Sequence, residues 1–144
     1  MGGTPGAFNF GMLMPLISRY MTRQPWTIRR DAKLSQALEL MREHQIRHLP
    51  VLEAGKLVGI LSERDVYLFD RLIALDVEVT VEDATTVDVY AASCDDLVDA
   101  VVEKMAEHKY GSAVVLSRHG QVEGIFTTVD GMQVLAEVLQ RATA

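Results

Sequence analysis

The chain is poor in the residues that would staple it, bind metal or attract nucleic acid. Of its 144 residues one is cysteine, Cys94. A lone thiol forms no internal disulfide, and no C-x-x-C or Cys/His zinc spacing is present. The expectation is a reducing, cytoplasmic setting with no metal site. Lysine and arginine number 14 against 20 acidic residues, a formal net charge of −6, which argues against the broad basic face that nucleic acid requires. Arg29, Arg30, Arg42 and Arg47 are too few to reverse that. Long apolar runs are missing as well. The stretch Phe8 to Ile17 is interrupted by Asn9, Gly11 and Pro15 and falls well short of the roughly 20 residues of a membrane span. It has no basic leader. Residues 1–15 read as an arm, with a short helix expected over Pro15 to Met21. What remains is 49% hydrophobic and 24% charged residues, ordinary for a folded globular chain.

The dominant feature is an internal repeat. Shifting the sequence by 64 aligns it with itself, without a gap, from Met21 to Ala54. Thr22 then meets Thr86, Asp31 meets Asp95, Glu39 meets Glu103, and Met41 meets Met105. Glu43 and His44 meet Glu107 and His108; Val51 and Leu52 meet Val115 and Leu116. One residue is inserted in a turn, and the shift becomes 65, pairing Gly55, Gly59, Ile60 and Asp65 with Gly120, Gly124, Ile125 and Asp130. Each copy reads alike. Leu34, Ala37, Leu38 and Met41, like Val98, Val101, Val102 and Met105, form one stripe of an amphipathic helix. Asp31 and Asp95 precede these helices, where a carboxylate suits the dipole. Two apolar strands follow, His48 to Leu52 and Leu57 to Leu61, or Ser112 to Leu116 and Val122 to Phe126, joined by Gly-containing turns into hairpins. A second helix starts at Ser62 with Val66, Phe69, Leu72 and Ile73, and near Thr127 with Val134, Leu135, Val138 and Leu139.

A unit of about 55 residues buries only about 60% of its extended surface and is marginal alone. Two copies packed together solve that and impose pseudo-twofold symmetry. The charge run Glu78 to Asp88 reads as a solvated linker. His44 and His108 sit at helix ends without partners that would complete a metal site. Trp26 and Tyr90 are repeat-equivalent and are read as packing residues ahead of base stacking, although either role suits them.

Both copies carry one motif at the end of the second strand: Gly59-Ile60-Leu61-Ser62-Glu63-Arg64-Asp65 and Gly124-Ile125-Phe126-Thr127-Thr128-Val129-Asp130. Ser/Thr followed three residues later by an acid is a helix capping box. The same groups suit a nucleotide. The helix start offers N–H groups to a phosphate, the hydroxyl of Ser62 or Thr127 donates to a phosphate oxygen, and the carboxylate of Asp65 or Asp130 accepts from paired ribose hydroxyls. No nucleophile with a base, and no paired catalytic carboxylates, can be assembled, so an enzyme is not expected.

The duplicated unit, with His48-Leu49-Pro50-Val51 ahead of Leu57-Val58-Gly59-Ile60-Leu61-Ser62-Glu63-Arg64-Asp65 and with Lys109-Tyr110-Gly111-Ser112-Ala113-Val114-Val115 in the second copy, resembles the CBS domain family, named after cystathionine beta-synthase. The resemblance implies an α+β fold of two tandem repeats, each β-α-β-β-α, with small sheets packed with helices. The repeats are assigned to residues 16–75 and 84–140, joined by 76–83. It also implies a non-catalytic sensor holding an adenine nucleotide or related ligand (AMP, ADP, ATP, NAD or S-adenosylmethionine) in clefts between the repeats, with no catalytic cofactor. Phosphate contact carries over to Ser62 and Thr127, and ribose contact to Asp65 and Asp130. The base is assigned to Thr27, Ile28, His48 and Pro50 in a first cleft, and to Ala91, Ala92, Tyr110, Ser112 and Val114 in a second. Arg47, His48 and Arg64 surround the first motif, so the first cleft is expected to prefer a phosphate chain and the second, with Gly111, Ser112 and Val129 at those places, to bind a less charged ligand or stay empty. Cys94 stands opposite Arg30, where the family often has proline. A homodimer with apolar second helices in the interface is implied too. The competing reading is a ligand-free docking module acting on an unidentified enzyme or transporter.

Overall fold

The computed structural model describes residues 14–143. The arm expected over 1–15 lies outside them except for Met14 and Pro15. After a single 3-10 turn, Ile17–Arg19, come β1 (Thr22–Arg23), β2 (Ile28–Arg29), α1 (Leu34–His44), β3 (His48–Glu53) and β4 (Lys56–Ser62). They are followed by α2 (Glu63–Tyr67), α3 (Asp70–Ala74) and α4 (Val81–Ala84), then β5 (Ala91–Ser93), α5 (Val98–His108), β6 (Ser112–Leu116), β7 (Val122–Thr127) and α6 (Thr128–Thr143). The fold is mixed α+β, with one small sheet per repeat.

The amphipathic stripes form as the spacing requires. Leu34, Ala37, Leu38 and Met41 of α1 are buried, as are Val98, Val101 and Met105 of α5; Val102 stays at the surface. Both helices stop on a left-handed residue that is not glycine, Gln45 (φ 53°) and Lys109 (φ 59°). The next N–H bonds back to Met41 or Met105, satisfying a terminal carbonyl. Asp31 does not cap α1 but pairs with Arg29. The first hairpin turns on Ala54 and Gly55, both at positive φ, the signature of a two-residue primed turn. The second is one residue longer, with Ser117 Oγ accepting from the N–H groups of His119 and Gln121.

The sheets run β2-β3-β4 and β1-β7-β6-β5. β2 lies parallel to β3 and β5 parallel to β6, with a register shift at Val51/Leu52 and again at Val115/Leu116. β1, from the first repeat, pairs with β7 of the second, Thr22 against Ile125. The equivalent Thr86 bridges to Ile60 of β4. Each repeat therefore lends its leading segment to the other. Ile17 and Met21 pack in the second core, while Val79, Val81 and Ala84 pack in the first. Matching backbone bonds fix the exchange: Ile17 N–H to Asp96 O at 2.7 Å, and Val81 N–H to Ala32 O at 2.8 Å.

This corrects the solvated-linker reading of Glu78 to Asp88. Its charged residues are exposed, but Val79, Val81 and Ala84 alternate with them and cover the first core, because an apolar stripe in a short turn is buried wherever a sheet end lies open. Arg30 ties the segment down by pairing with Glu53 at 2.8 Å and with Glu82. The single helix expected from Ser62 is broken, with Phe69 between α2 and α3; α6 runs unbroken for 16 residues.

Candidate functional site

Both motif copies fold as capping boxes. Ser62 N–H donates to Asp65 Oδ2 at 3.1 Å, Ser62 Oγ donates to the same oxygen at 2.7 Å, and Asp65 N–H returns a bond to Ser62 Oγ at 3.1 Å. In the second copy the equivalent distances are 2.9, 3.2 and 3.4 Å. Thr80 and Asp83 form a third such box at α4. Capping is thus common to all three, and the Thr127–Asp130 box opens on a cleft. Among the described residues no protein donor is bonded to Asp130 Oδ1, so that oxygen can accept from a ligand.

In front of Thr127 and Asp130 lies a cleft of about 640 Å³, within the range of small-molecule sites. Its floor is the N-terminus of α6, with Thr127, Thr128, Val129 and Asp130. Its walls come from the first repeat: the exchanged strand and the residues after it, Thr22 to Trp26, and Gln45 to His48 from the end of α1 to the start of β3. Arg23 and Arg47 set two permanent positive charges against the one carboxylate of Asp130. The chemistry is that of an anion site beside a hydroxyl acceptor.

The sequence profile of the CBS domain matches residues 17–70 and 77–137. The chain belongs to the CBS domain family. Over 116 residues it is 30% identical to L-aspartate semialdehyde sulfurtransferase of Methanocaldococcus jannaschii, covering 80% of this chain and 22% of that protein. Over 112 residues it is 32% identical to inosine-5'-monophosphate dehydrogenase of Korarchaeum cryptofilum, 77% of this chain and 22% of the other. The chain thus spans about a fifth of the length of these curated relatives. Its structure is similar to the CBS domain pair of protein MJ0100, solved in complex with 5'-methylthioadenosine and S-adenosyl-L-methionine. The TM-score there is 0.76 at 27% identity, over 87% of this chain and 98% of that one.

Within this CBS pair the site residues regroup. Of the set assigned to the first cleft, Arg47 and His48 line the cleft in front of Thr127 and Asp130 and also stand beside the first motif, where His48 pairs with Ser62 and Arg47 O accepts from Glu63 N–H at 2.7 Å. The exchange of leading segments brings Thr22 to Trp26 of the first repeat to the second repeat's helix start, beside the first repeat's own α1–β3 turn. Ser62, Arg64 and Asp65 stand outside this cleft, as do Thr27, Ile28 and Pro50. Ile28 packs on the first core and Pro50 is buried. Tyr110, Ser112, Val114, Ala91 and Ala92 do not join Thr127 and Asp130 in it either. Val114 and Ala92 are 0% and 3% exposed, so their side chains belong to the interior, and Ser112 is buried as well. Arg23 and Trp26, outside both assigned sets, also line this cleft. A repeat alignment shows only which residues are equivalent, not which copy's loop reaches which helix.

His48 sits at the meeting of the repeats. It pairs with Ser62 across the hairpin, and a methyl added at Gly111 would stand 3.0 Å from its Nε2. Burial holds its pKa below the ordinary imidazole value and Arg47 lowers it further, against the raising fields of Asp65 and Glu63. The folded state therefore prefers neutral His48. Its contribution to stability is present above the usual imidazole range and is lost as pH falls below about 6.5. The melting temperature of the ligand-free protein should drop between pH 7 and pH 5, and His48→Gln should flatten part of that drop. Superimposable pH profiles would remove this role from His48.

Proposed function

We propose that this CBS pair is a regulatory module that binds an adenosine-bearing ligand between Thr127 and Asp130, and that it is not a catalyst. The observation that carries the reading is the capping box at the head of α6 opening on a cleft that also holds Arg23 and Arg47. Ribose hydroxyls donate to Asp130, and a phosphate takes the N–H groups at the start of α6, the Thr127 hydroxyl and the two guanidinium groups. The likeness to a pair solved with adenosyl ligands supports the adenosine part. The two arginines favour a phosphorylated ligand such as AMP or ATP over the cationic sulfonium of S-adenosylmethionine.

A thermal-shift screen with AMP, ATP, S-adenosylmethionine and 5'-methylthioadenosine tests this directly. A ligand at 100 times its Kd stabilises the folded state by about 2.7 kcal/mol, a shift of several degrees. A flat response to all four favours the docking module that works without ligand.

For regulation, the reading includes a homodimer. The second helices leave apolar residues uncovered, among them Leu68, Leu72 and Leu75 beside α2 and α3, and Val129, Met132, Leu135 and Leu139 on α6. On α6 these recur every three or four positions, a single stripe, and a second copy covers both faces at once by isologous pairing. Ligand then acts by binding two arrangements of the dimer unequally. Sedimentation should show a dimer, and Leu68→Asp, at a site 79% exposed, should yield a folded monomer. A wild-type monomer at every concentration would refute this part.

A further inference from the structure

The two repeats put equivalent aromatic positions to different uses. Trp26 occupies the place that Tyr90 holds in the second copy, and Ile46 the place of Tyr110. Trp26 is 51% exposed and lines the cleft. Its ring is stacked on His44, with centroids 4.0 Å apart and planes 17° from parallel. It is a supported aromatic plate beside an anion site. Tyr90 is folded inward instead. It stacks on Tyr110 at 5.4 Å, Tyr110 stacks on His108 at 5.5 Å, and Lys104 Nζ lies 5.2 Å over the Tyr90 ring. Both tyrosines pack against the second core, whereas Trp26 belongs to neither core. Burial accordingly raises the Tyr90 pKa above its ordinary value.

Charge and helix length agree with this division. Where the open cleft has Arg23, Gln24, Arg47 and Thr128, the counterpart position has Val87, Asp88, Gly111 and Glu63. Both arginines are lost there and two acids replace neutral groups, but Lys109 and Arg64 stand where the open cleft has Gln45 and Val129, so the formal balance is −1 (Lys109, Arg64, Asp88, Glu63, Asp65) against +1 (Arg23, Arg47, Asp130). Ser62 and Asp65 also head a helix of 5 residues, while Thr127 and Asp130 head one of 16. The shorter one is little more than a single turn, so few aligned peptide units stand behind its N–H groups.

We propose that the pair takes one anionic adenine ligand per chain, with Trp26 as the plate on which the base stacks, and that the Tyr90–Tyr110 stack closes the counterpart cleft. The proposal rests on the reading that an adenosine-bearing ligand binds at Thr127 and Asp130. Calorimetric titration with AMP and with ATP tests it, run beside intrinsic fluorescence, because Trp26 is the chain's one tryptophan. The expected result is one site per chain and quenching that follows the same isotherm. Trp26→Ala should weaken binding about ten-fold or more, given what stacking on an aromatic ring contributes per base. Trp26→Phe, which keeps a ring, should stay within about three-fold. Two sites per chain, or Trp26→Ala binding as tightly as wild type, would overturn this inference while leaving the adenosine reading intact. No heat with either nucleotide, together with no thermal shift, sinks the adenosine reading and this inference with it.

Discussion

Asp130→Ala is expected to weaken nucleotide binding at least about 100-fold, while Asp65→Ala leaves it within about three-fold. The contrast follows from placement. Each hydrogen bond from a ribose hydroxyl to a carboxylate contributes about 1.5–3 kcal/mol, and a carboxylate facing the sugar can accept two. Losing both amounts to 100-fold at the least. The two variants share a confounding effect, since each aspartate closes a capping box with its own helix start, and losing such a cap costs about 1 kcal/mol. Because that cost is common to both, the difference between them isolates the ligand contact. Calorimetry at 25 °C, with circular dichroism to show that both variants are folded, gives the comparison. Equal losses, or a larger loss in Asp65→Ala, would move the site to the other helix start.

The second large effect concerns stability. Gly59→Ala should lower stability by about 3 kcal/mol, a fall in melting temperature on the order of 10 °C for a chain of this size. Gly59 and Gly124 open the two motif copies, and the structure shows why glycine stands there. A methyl group at Gly59 would collide with Thr85 Cγ2 and stand 2.8 Å from the Thr86 carbonyl oxygen. At Gly124 it would collide with the Met21 side chain and stand 3.0 Å from the Thr22 carbonyl oxygen. Neither glycine has a positive φ, so the requirement is space for the exchanged segment, not backbone freedom. Gly124→Ala should be milder, because an unbranched methionine can move aside where a backbone carbonyl cannot. Thermal melts of both variants measure this. If Gly59→Ala melts like wild type, the segment does not pack against β4 as described.

These effects also show which parts of the molecule were legible in one dimension. The helix stripes and hairpins follow from periods of 3.6 and 2, which burial on one face enforces locally. The Ser62–Asp65 and Thr127–Asp130 boxes span three residues, so their geometry was readable before any tertiary contact. Arg23 and Trp26 carried no such mark. They sit 101 or more positions before Thr127 in the chain, and no local pattern announces that they share a cleft with it. Val81 was hidden for a similar reason: a valine among acids looks solvated until a neighbouring sheet leaves an open end for it to cover.

What the sequence determined alone was the duplication, the order of strands and helices within each copy, and the hydroxyl–carboxylate pair at each helix start. These depend on contacts within a few residues, where spacing dictates geometry. Only the tertiary structure decided which cleft those groups face. The exchange of residues 16–26 against 80–90 places Arg23 and Trp26 of the first repeat before the second repeat's helix. Pairing within a repeat and pairing across repeats satisfy the same backbone hydrogen bonds, and it is the burial of Ile17, Met21, Val79 and Val81 in the opposite cores that selects between them.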